Sequence, residues 1–538
     1  MSTDAVAPLE SPEIVILSTK VEEAARSNKE GVRYFIEPGQ GTLRRATSRR
    51  HHIIFGRRGS GKSSLLRKAG ADLTVDRRPI AYINLESFKD HSYPDILLSV
   101  LIATFREFKE WLDTAAIHRA TRISFWKRLF GTAPSRPAFN RTASAELSAA
   151  LQKQITGLEE QLHAPDEANL KTTSTAEQKL QRSGETIAHL GGSNLSLSAK
   201  IGGGESTENA QQVQQEYSVR KVEFLHRHIM DYQQIFRDMA KLSDGDSYLF
   251  LDDLYQINRA DQPRLIDYFH RIAKDHNLWL KIGTIRHRTD WYVHGNPPIG
   301  LKLGDDADEI DLDLTLEKYD LAKNFLFKIL NNFAHEAGIA LSSFLTEGAR
   351  DRLVLASGGV ARDFLSIFRR SIDIARERHG GHRGESIGVE DVNVAAGEHD
   401  TTKREEFKRD TSGDDEKLDT EFNNIRSFCL EKAKANCFIF RQDAAGEHAH
   451  LIRELVDLRL LHVAQTRVTV KKGHTGRVYE AYMLDVSQYA GARKHRGLRI
   501  IEFWKPAGQE FLRRASLLYE PSEVAPQLKL GFPRSGYG

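Results

Sequence analysis

The chain of 538 residues is too long for one ordinary hydrophobic core, so two or three domains with insertions are expected. Lysine and arginine total 77 against 74 acidic side chains, which excludes a uniformly basic nucleic-acid binder; any such surface has to be local. Cys429 and Cys437 are the only cysteines, which excludes a disulfide framework or a zinc-binding spacing and suits a reducing compartment, with both read as small packing residues.

Met1 to Glu13 has no basic stretch leading into an apolar one, so no secretory signal is expected, and the longest apolar run, Ile96 to Phe105, is too short to span a bilayer. The reading is a cytoplasmic protein without a membrane partner. Histidine pairs such as His51/His52, His226/His228 and His448/His450 lack the i, i+4 spacing and glutamate of a zinc protease.

Beyond an N-terminal extension at 1–29, His52 to Phe55 reads as a short buried strand and Ser64 to Ala71 as a helix. Between them Gly56-Arg57-Arg58-Gly59-Ser60-Gly61-Lys62-Ser63 fits G-x-x-x-x-G-K-[ST] at every fixed position. Such a loop wraps polyphosphate with backbone N–H groups, and side chains at the glycine positions would block that approach. The segment Gly56, Arg57, Arg58, Gly59, Ser60, Gly61, Lys62, Ser63 and Ser64 is therefore expected to hold the phosphates of a nucleotide. The Lys62 ammonium would reach the β- and γ-phosphates and Ser63 would ligate Mg²⁺.

Ile80 to Leu85 is the next predicted strand, and Pro94 to Leu112 has helical apolar spacing. An insertion follows at about 118–218, polar and glycine-containing in its middle. Two apolar stripes flank that middle: Leu147, Leu151, Ile155, Leu158 and Leu162, then Val222, Leu225, Ile229, Tyr232, Phe236 and Met239. They form either a coiled-coil hairpin or ordinary amphipathic helices, and fewer than four heptads favours the second. At Arg119 to Arg136, basic residues interleave with Phe125, Trp126 and Phe130, as either a polyanion or membrane grip or a helix with one packed face.

Tyr248 to Asp253 (YLFLDD) is an apolar strand ending in two acids. Burying it beside the phosphate loop would let Asp252 organise Mg²⁺ and Asp253 orient or deprotonate the attacking water. Trp279 to Ile285 is a further strand ending in Thr284-Ile285-Arg286, where Thr284 and Arg286 either sense the γ-phosphate or cap a solvated terminus. Arg288 is a second candidate cation, placed to act on a neighbouring subunit's nucleotide. Ile310 to Leu314 alternates as an edge strand.

Helices dominate from Leu321, and Gly358-Gly359 precedes Arg362 at a helix start, where its guanidinium is either aimed at phosphate or solvated. Residues 401–421 are heavily charged and read as a linker or an exposed helix. Asn423 to Lys434, Cys437 to Phe440, His448 to Leu461 and a hairpin of Arg467 to Val470 with Val478 to Leu484 suggest a winged helix. Lys471, Lys472, His474 and Arg477 sit on its wing, and Lys471, Lys472 and Arg477 are the candidate DNA contacts.

On these residues the chain resembles the AAA+ and STAND branches of P-loop ATPases, especially the origin-recognition or replication-initiator type with a C-terminal winged helix. The resemblance implies an α/β fold: a P-loop parallel sheet with helices on both faces, then a helical lid and a winged-helix domain. The ATPase core would span 30–315, the lid 316–400, the linker 401–421, the winged helix 422–490 and a C-terminal extension 491–538. Sensor 1 would fall at Thr284 or Arg286, and sensor 2 at Arg362; with Lys62 and Asp253 these make the implied catalytic set, with Ser63 and Asp252 for the metal. The implied function is an Mg²⁺-dependent ATP-binding and hydrolysing switch that controls assembly with itself as a homo-oligomer or with a partner effector, as in bacterial defence. The alternative is an ATP-regulated DNA-binding initiator or transposition-type regulator. Asp253 where most AAA+ members carry Glu is STAND-like and implies slow hydrolysis.

Overall fold

The computed structural model describes residues 8–24, 34–75, 78–117, 140–187, 205–243, 245–378, 386–410, 415–443, 446–470, 477–490 and 497–521. The candidate contacts between Arg119 and Arg136, and Lys471, Lys472 and His474 on the wing, lie outside them.

Five strands form a parallel sheet: β1 (His51–Phe55), β2 (Ile80–Asn84), β3 (Ser247–Asp252), β4 (Leu278–Thr284) and β5 (Ala307–Asp311), in the spatial order β2–β3–β4–β1–β5. The inner strands β1, β3 and β4 are buried along nearly their whole length because both faces are covered, while the edge strands β2 and β5 alternate. Side chains alternate across the sheet: Ile53, Phe55, Leu249 and Leu251 enter one core, while Ile54, Tyr248 and Phe250 enter the other. The second core is closed by the helix that follows the phosphate loop, α1 (Lys62–Val75), through Leu65, Leu66, Ala69 and Leu73. The first is closed by α2 (Asp95–Ile117) and α3 (Gln262–Ala273), and by two helices of the insertion.

Those two helices are α4 (Arg141–Ile187) and α5 (Glu205–Ser243). Leu147, Leu151, Ile155 and Leu158 of α4 are buried beside α2, and Leu225, Ile229, Tyr232, Phe236 and Met239 of α5 join the same core. Lys221 on α5 is tied to Asp95 on α2 at 2.7 Å. The stripes thus form ordinary amphipathic helices packed over the sheet, the second of the two sequence alternatives.

A second, larger core joins everything C-terminal to β5. It contains α6 (Tyr319–Ala337), α7 (Glu347–Ser357), α8 (Ala361–Arg378), α9 (Val389–Asp410) and α10 (Asp415–Ser427). It also contains an antiparallel sheet of β6 (Cys437–Arg441), β7 (Leu461–Val468) and β8 (Tyr479–Leu484), ordered β6–β8–β7, with α11 (Glu447–Asp457) inserted after β6. The N-terminal segment joins it as well, since Leu9, Ile14, Leu17 and Val21 are buried against α6 and α8.

Several boundaries differ from the sequence reading. Of the two readings of the charged stretch at 401–421, linker or exposed helix, its described residues are helical, forming the end of α9 and the start of α10, with Lys403 buried rather than exposed. The first hairpin strand begins at Leu461 rather than Arg467, and the helix before it ends at Asp457. Residues of the C-terminal extension pack into the core: Trp504 stacks on Tyr319 with centroids 4.5 Å apart, and Leu512, Leu517 and Tyr519 are buried. No helix among the described residues is long and apolar enough to cross a membrane.

Candidate functional site

Parallel strands place their C-terminal ends on one edge, and that edge gathers the motifs. The loop leaves β1 at Gly56, whose N–H donates to Thr284 O at 3.2 Å, so the end of β4 holds the loop at its root. Gly59 and Gly61 have φ of 84° and 102°, a region that side-chain-bearing residues rarely adopt. Lys62 and Ser63 open α1, whose N-terminus faces a cleft lined by Gly59, Ser60, Gly61, Lys62, Ser63 and Ser64.

The cleft has one polar wall and one apolar end. Asp253, Glu86 and Tyr255 face the loop; Tyr34, Phe35, Ile36, Phe325, Ile329 and Phe333 form the apolar end; and Arg362 of α8 closes the lid side. Such a division suits a ligand with a flat ring at one end and an anionic chain at the other. The Ser60 hydroxyl is buried without a hydrogen-bond partner beside the loop, as a phosphate-cradling group would be before its ligand arrives.

Lys62 donates to Gly56 O at 2.9 Å and Arg57 O at 3.3 Å. Burial lowers its pKa, opposed by the charges of Asp253, Asp252 and Asp313. Asp253 sits in the left-handed region (φ 58°), and burial followed by the Asp252 charge raises its carboxyl to about 6, with Lys62 opposing and Glu86 adding to the rise. Asp252 ends β3 with its Oδ1 accepting the Asp253 N–H at 3.1 Å, while the Tyr82 hydroxyl donates to its Oδ2. Burial and the Asp252 charge hold the Tyr82 phenol above its ordinary range, so it stays a donor.

A metal would find hard oxygen donors here in Ser63 and the two aspartates. No cluster of three or more metal-ligating side chains occurs among the described residues. The fit is to Mg²⁺, which takes one or two carboxylates and completes its shell with phosphate and water.

Gly56, Arg57, Asp252, Thr284 and Arg286 do not line the cleft, Asp252 being buried directly behind Asp253. Arg57 turns its side chain away from the cleft, pairing with Asp313 at 3.2 Å and donating to Gly358 O at 3.1 Å. Thr284 is fully buried with its hydroxyl bonded to that of Thr289. Arg286 lies over the Phe55 ring and pairs with Glu309 at 3.1 Å and Asp311 at 3.4 Å along the β5 edge. Arg288 instead approaches Tyr255, whose ring also faces Lys62, at 5.8 and 5.7 Å from the two cations. Arg362 lines the cleft, and its N–H donates to Gly59 O at 3.3 Å. Arg477 is exposed, two residues before β8.

Strand, glycine loop and helix stand inside a parallel sheet, beside its edge strand β5, with the acid-ended strand separated from β1 by β4. The chain has a P-loop NTPase fold. Its sequence matches no protein-family model and no curated protein. Among solved structures it is similar to the ORC1 protein of Aeropyrum pernix in complex with DNA, at 13% identity over 85% of this chain and 91% of that one, TM-score 0.32. Cdc6p from Pyrobaculum aerophilum aligns at 13% identity over 90% and 94%, TM-score 0.31. The Walker-type ATPase PABY2304 of Pyrococcus abyssi aligns at 11% over 83% and 93%, TM-score 0.37.

Sequence reading missed Tyr34, Phe35, Tyr82 and Asp313. A local signal existed only for Asp313, in the acid alternation of the edge strand.

Behind Arg362 the P-loop core, the lid and the C-terminal sheet meet through buried charges. Asp363 pairs with Arg459 and lies 3.6 Å from Lys403, which also reaches Asp485 at 2.8 Å; His462 bonds the same Asp485 at 2.8 Å. Asp457 at the end of α11 accepts from the His287 N–H at 3.0 Å, just beyond β4.

Proposed function

We propose that this chain binds ATP with Mg²⁺ in the cleft, hydrolyses it slowly, and uses the nucleotide to set the position of the lid and C-terminal sheet, thereby controlling assembly with itself or a partner. The observation that carries the reading is that one cleft is lined by Lys62 and Asp253 from the sheet and by Arg362 from the lid. A polyphosphate spanning it would bridge the two bodies, and exchange of triphosphate for diphosphate would change that bridge.

Catalysis on this reading is positioning and charge stabilisation, without a covalent intermediate. Bound Mg²⁺ would neutralise charge on the β- and γ-phosphate oxygens, with Ser63 and Asp252 as its protein holders. Lys62 would leave its loop carbonyls for phosphate oxygen, Asp253 would orient water and accept its proton, and Arg362 would hold the γ-phosphate from the lid. Asp253 is a methylene shorter than Glu, which supports a low rate. Arg286, held by Glu309 and Asp311, is proposed as a bolt on the sheet edge.

Direct binding of a fluorescent ATP analogue tests the reading. Lys62→Ala should abolish binding, and unchanged affinity would overturn it. Particle mass with and without ATP tests the assembly part: an identical mass with every candidate partner present counts against it.

A further inference from the structure

Nothing in the P-loop pattern or the acid pair says what aims the Asp252 carboxylate. The register does. On adjacent parallel strands Tyr82 lies opposite Phe250 and Asn84 opposite Asp252, so Tyr82 and Asp252 project from the same face of the sheet. That face carries α1, with Ser63 in its first turn.

The carboxylate occupies a slot with two fixed sides. On the β4 side stands Gly283, where a Cβ would come within 2.8 Å of Asp252 Oδ1, so only glycine leaves that oxygen its place. On the β2 side stands Tyr82, whose hydroxyl takes Oδ2. The Tyr82 ring is itself held, with the Arg67 guanidinium of α1 lying 4.5 Å from its centroid. One hydrogen bond to each oxygen fixes both carboxylate torsions and leaves each oxygen a lone pair.

We propose that Tyr82 is a positioning residue for Mg²⁺ capture, holding Asp252 in the orientation in which its remaining lone pairs meet the metal shell at Ser63. The inference rests on the reading of Asp252 as a metal organiser. Tyr82 touches neither nucleotide nor metal; it acts through the carboxylate. Without the hydroxyl the Asp252 side chain gains rotational freedom and a more diffuse charge, and the cost falls on the metal rather than on the nucleotide.

The test is Tyr82→Phe, which keeps the ring under Arg67 and removes one oxygen. Binding of a fluorescent ATP analogue is titrated with MgCl₂ and, separately, measured in EDTA. The expected result is a five- to tenfold rise in the Mg²⁺ concentration at half-effect, roughly the worth of one ordinary hydrogen bond, with metal-free affinity within about twofold of the parent. In an Asp252→Asn background Tyr82→Phe should add nothing. A merely structural tyrosine would lower the melting temperature and leave the Mg²⁺ titration in place, which overturns the proposal. Equal losses with and without Mg²⁺ overturn it too. If Asp252→Asn leaves the titration untouched, the metal reading of Asp252 has itself failed and this inference falls with it; if Asp252→Asn shifts it and Tyr82→Phe does not, only the inference is lost.

Discussion

The guanidinium of Arg57 leaves the phosphate loop and donates to the carbonyl of Gly358, 3.1 Å away in the turn between α7 and α8, while the Arg57 N–H and Nε hold Asp313 at 2.9 and 3.2 Å. A residue inside the phosphate-loop pattern thus serves as a bolt between sheet edge, loop and lid. Arg57 is 3% exposed, so truncation strands a carboxylate and a carbonyl. Arg57→Ala should cost about 3 kcal/mol, read as a lower denaturant midpoint at unchanged slope. Weaker ATP binding should follow from the loosened lid.

Gly359 is the second element of that turn. Its φ is +83° and a Cβ would lie 2.2 Å from Leu314 O, so Gly359→Ala meets both backbone strain and a clash with main chain. A loss of more than about 2 kcal/mol is expected, measured by the same denaturation, with Gly304→Ala as a comparison: its φ is +89° but nothing lies within 4 Å of its Cβ. The difference between the two variants isolates the lid contact.

Asp253 gives the free protein a pH signature. Its carboxyl is raised to about 6, so the ionised form the reaction needs is lost as pH falls through 6, and kcat/KM should show an acid limb there. The stability sign is opposite to that of a salt-bridged acid. The charge is disfavoured in the fold, so its penalty is fully present above pH 6 and relieved between about 6 and 4. Asp253→Asn should therefore raise the melting temperature at pH 8 and converge with the parent near pH 4, while binding ATP without turning it over.

Asp363 behaves the other way. Although burial alone would raise its pKa, Arg459, Lys403 and His399 hold it well below the ordinary carboxylate range. The stability it contributes is present above pH 4 and lost as pH falls through its folded value. Asp363→Asn removes the carboxylate that pairs with Arg459, while Lys403 keeps Asp485, and should cost about 3 kcal/mol at neutral pH, an effect that urea titrations at pH 7 would detect.

Arg362 lines the cleft from the lid, so Arg362→Ala should weaken ATP binding more than ADP binding. A charge-assisted contact to the γ-phosphate alone would give a change in the ATP/ADP affinity ratio of about tenfold or more. Equal losses for the two nucleotides would show that Arg362 does not discriminate between them.

The glycine loop and the acid pair were legible in the sequence because each is contiguous and its chemistry tolerates few residue types. Tyr34 and Phe35 were not, because they meet Phe325 and Phe333 only after nearly 300 residues have folded between them. The charged run at 401–421 read as a linker or an exposed helix, solvated in either case, for a related reason. Lys403 is buried because its charge is met by Asp485, 82 positions later, and no local pattern announces that partner. Arg57 fitted the phosphate-loop pattern as one of its variable positions, and only Asp313 and Gly358 show why an arginine stands there.

The first helix of the chain, Pro12 to Ala24, is built into the core formed by residues 319–378: Ile14, Leu17 and Val21 are buried there, Lys20 meets Glu336 at 2.6 Å and Glu22 meets Arg369 at 3.0 Å. During synthesis this apolar face is made well before its partners on α6 and α8, which follow only after the whole five-stranded sheet. Completion of the lid therefore requires contacts between distant parts of the chain. An N-terminal segment left undocked would mark a molecule whose sheet has folded and whose lid has not.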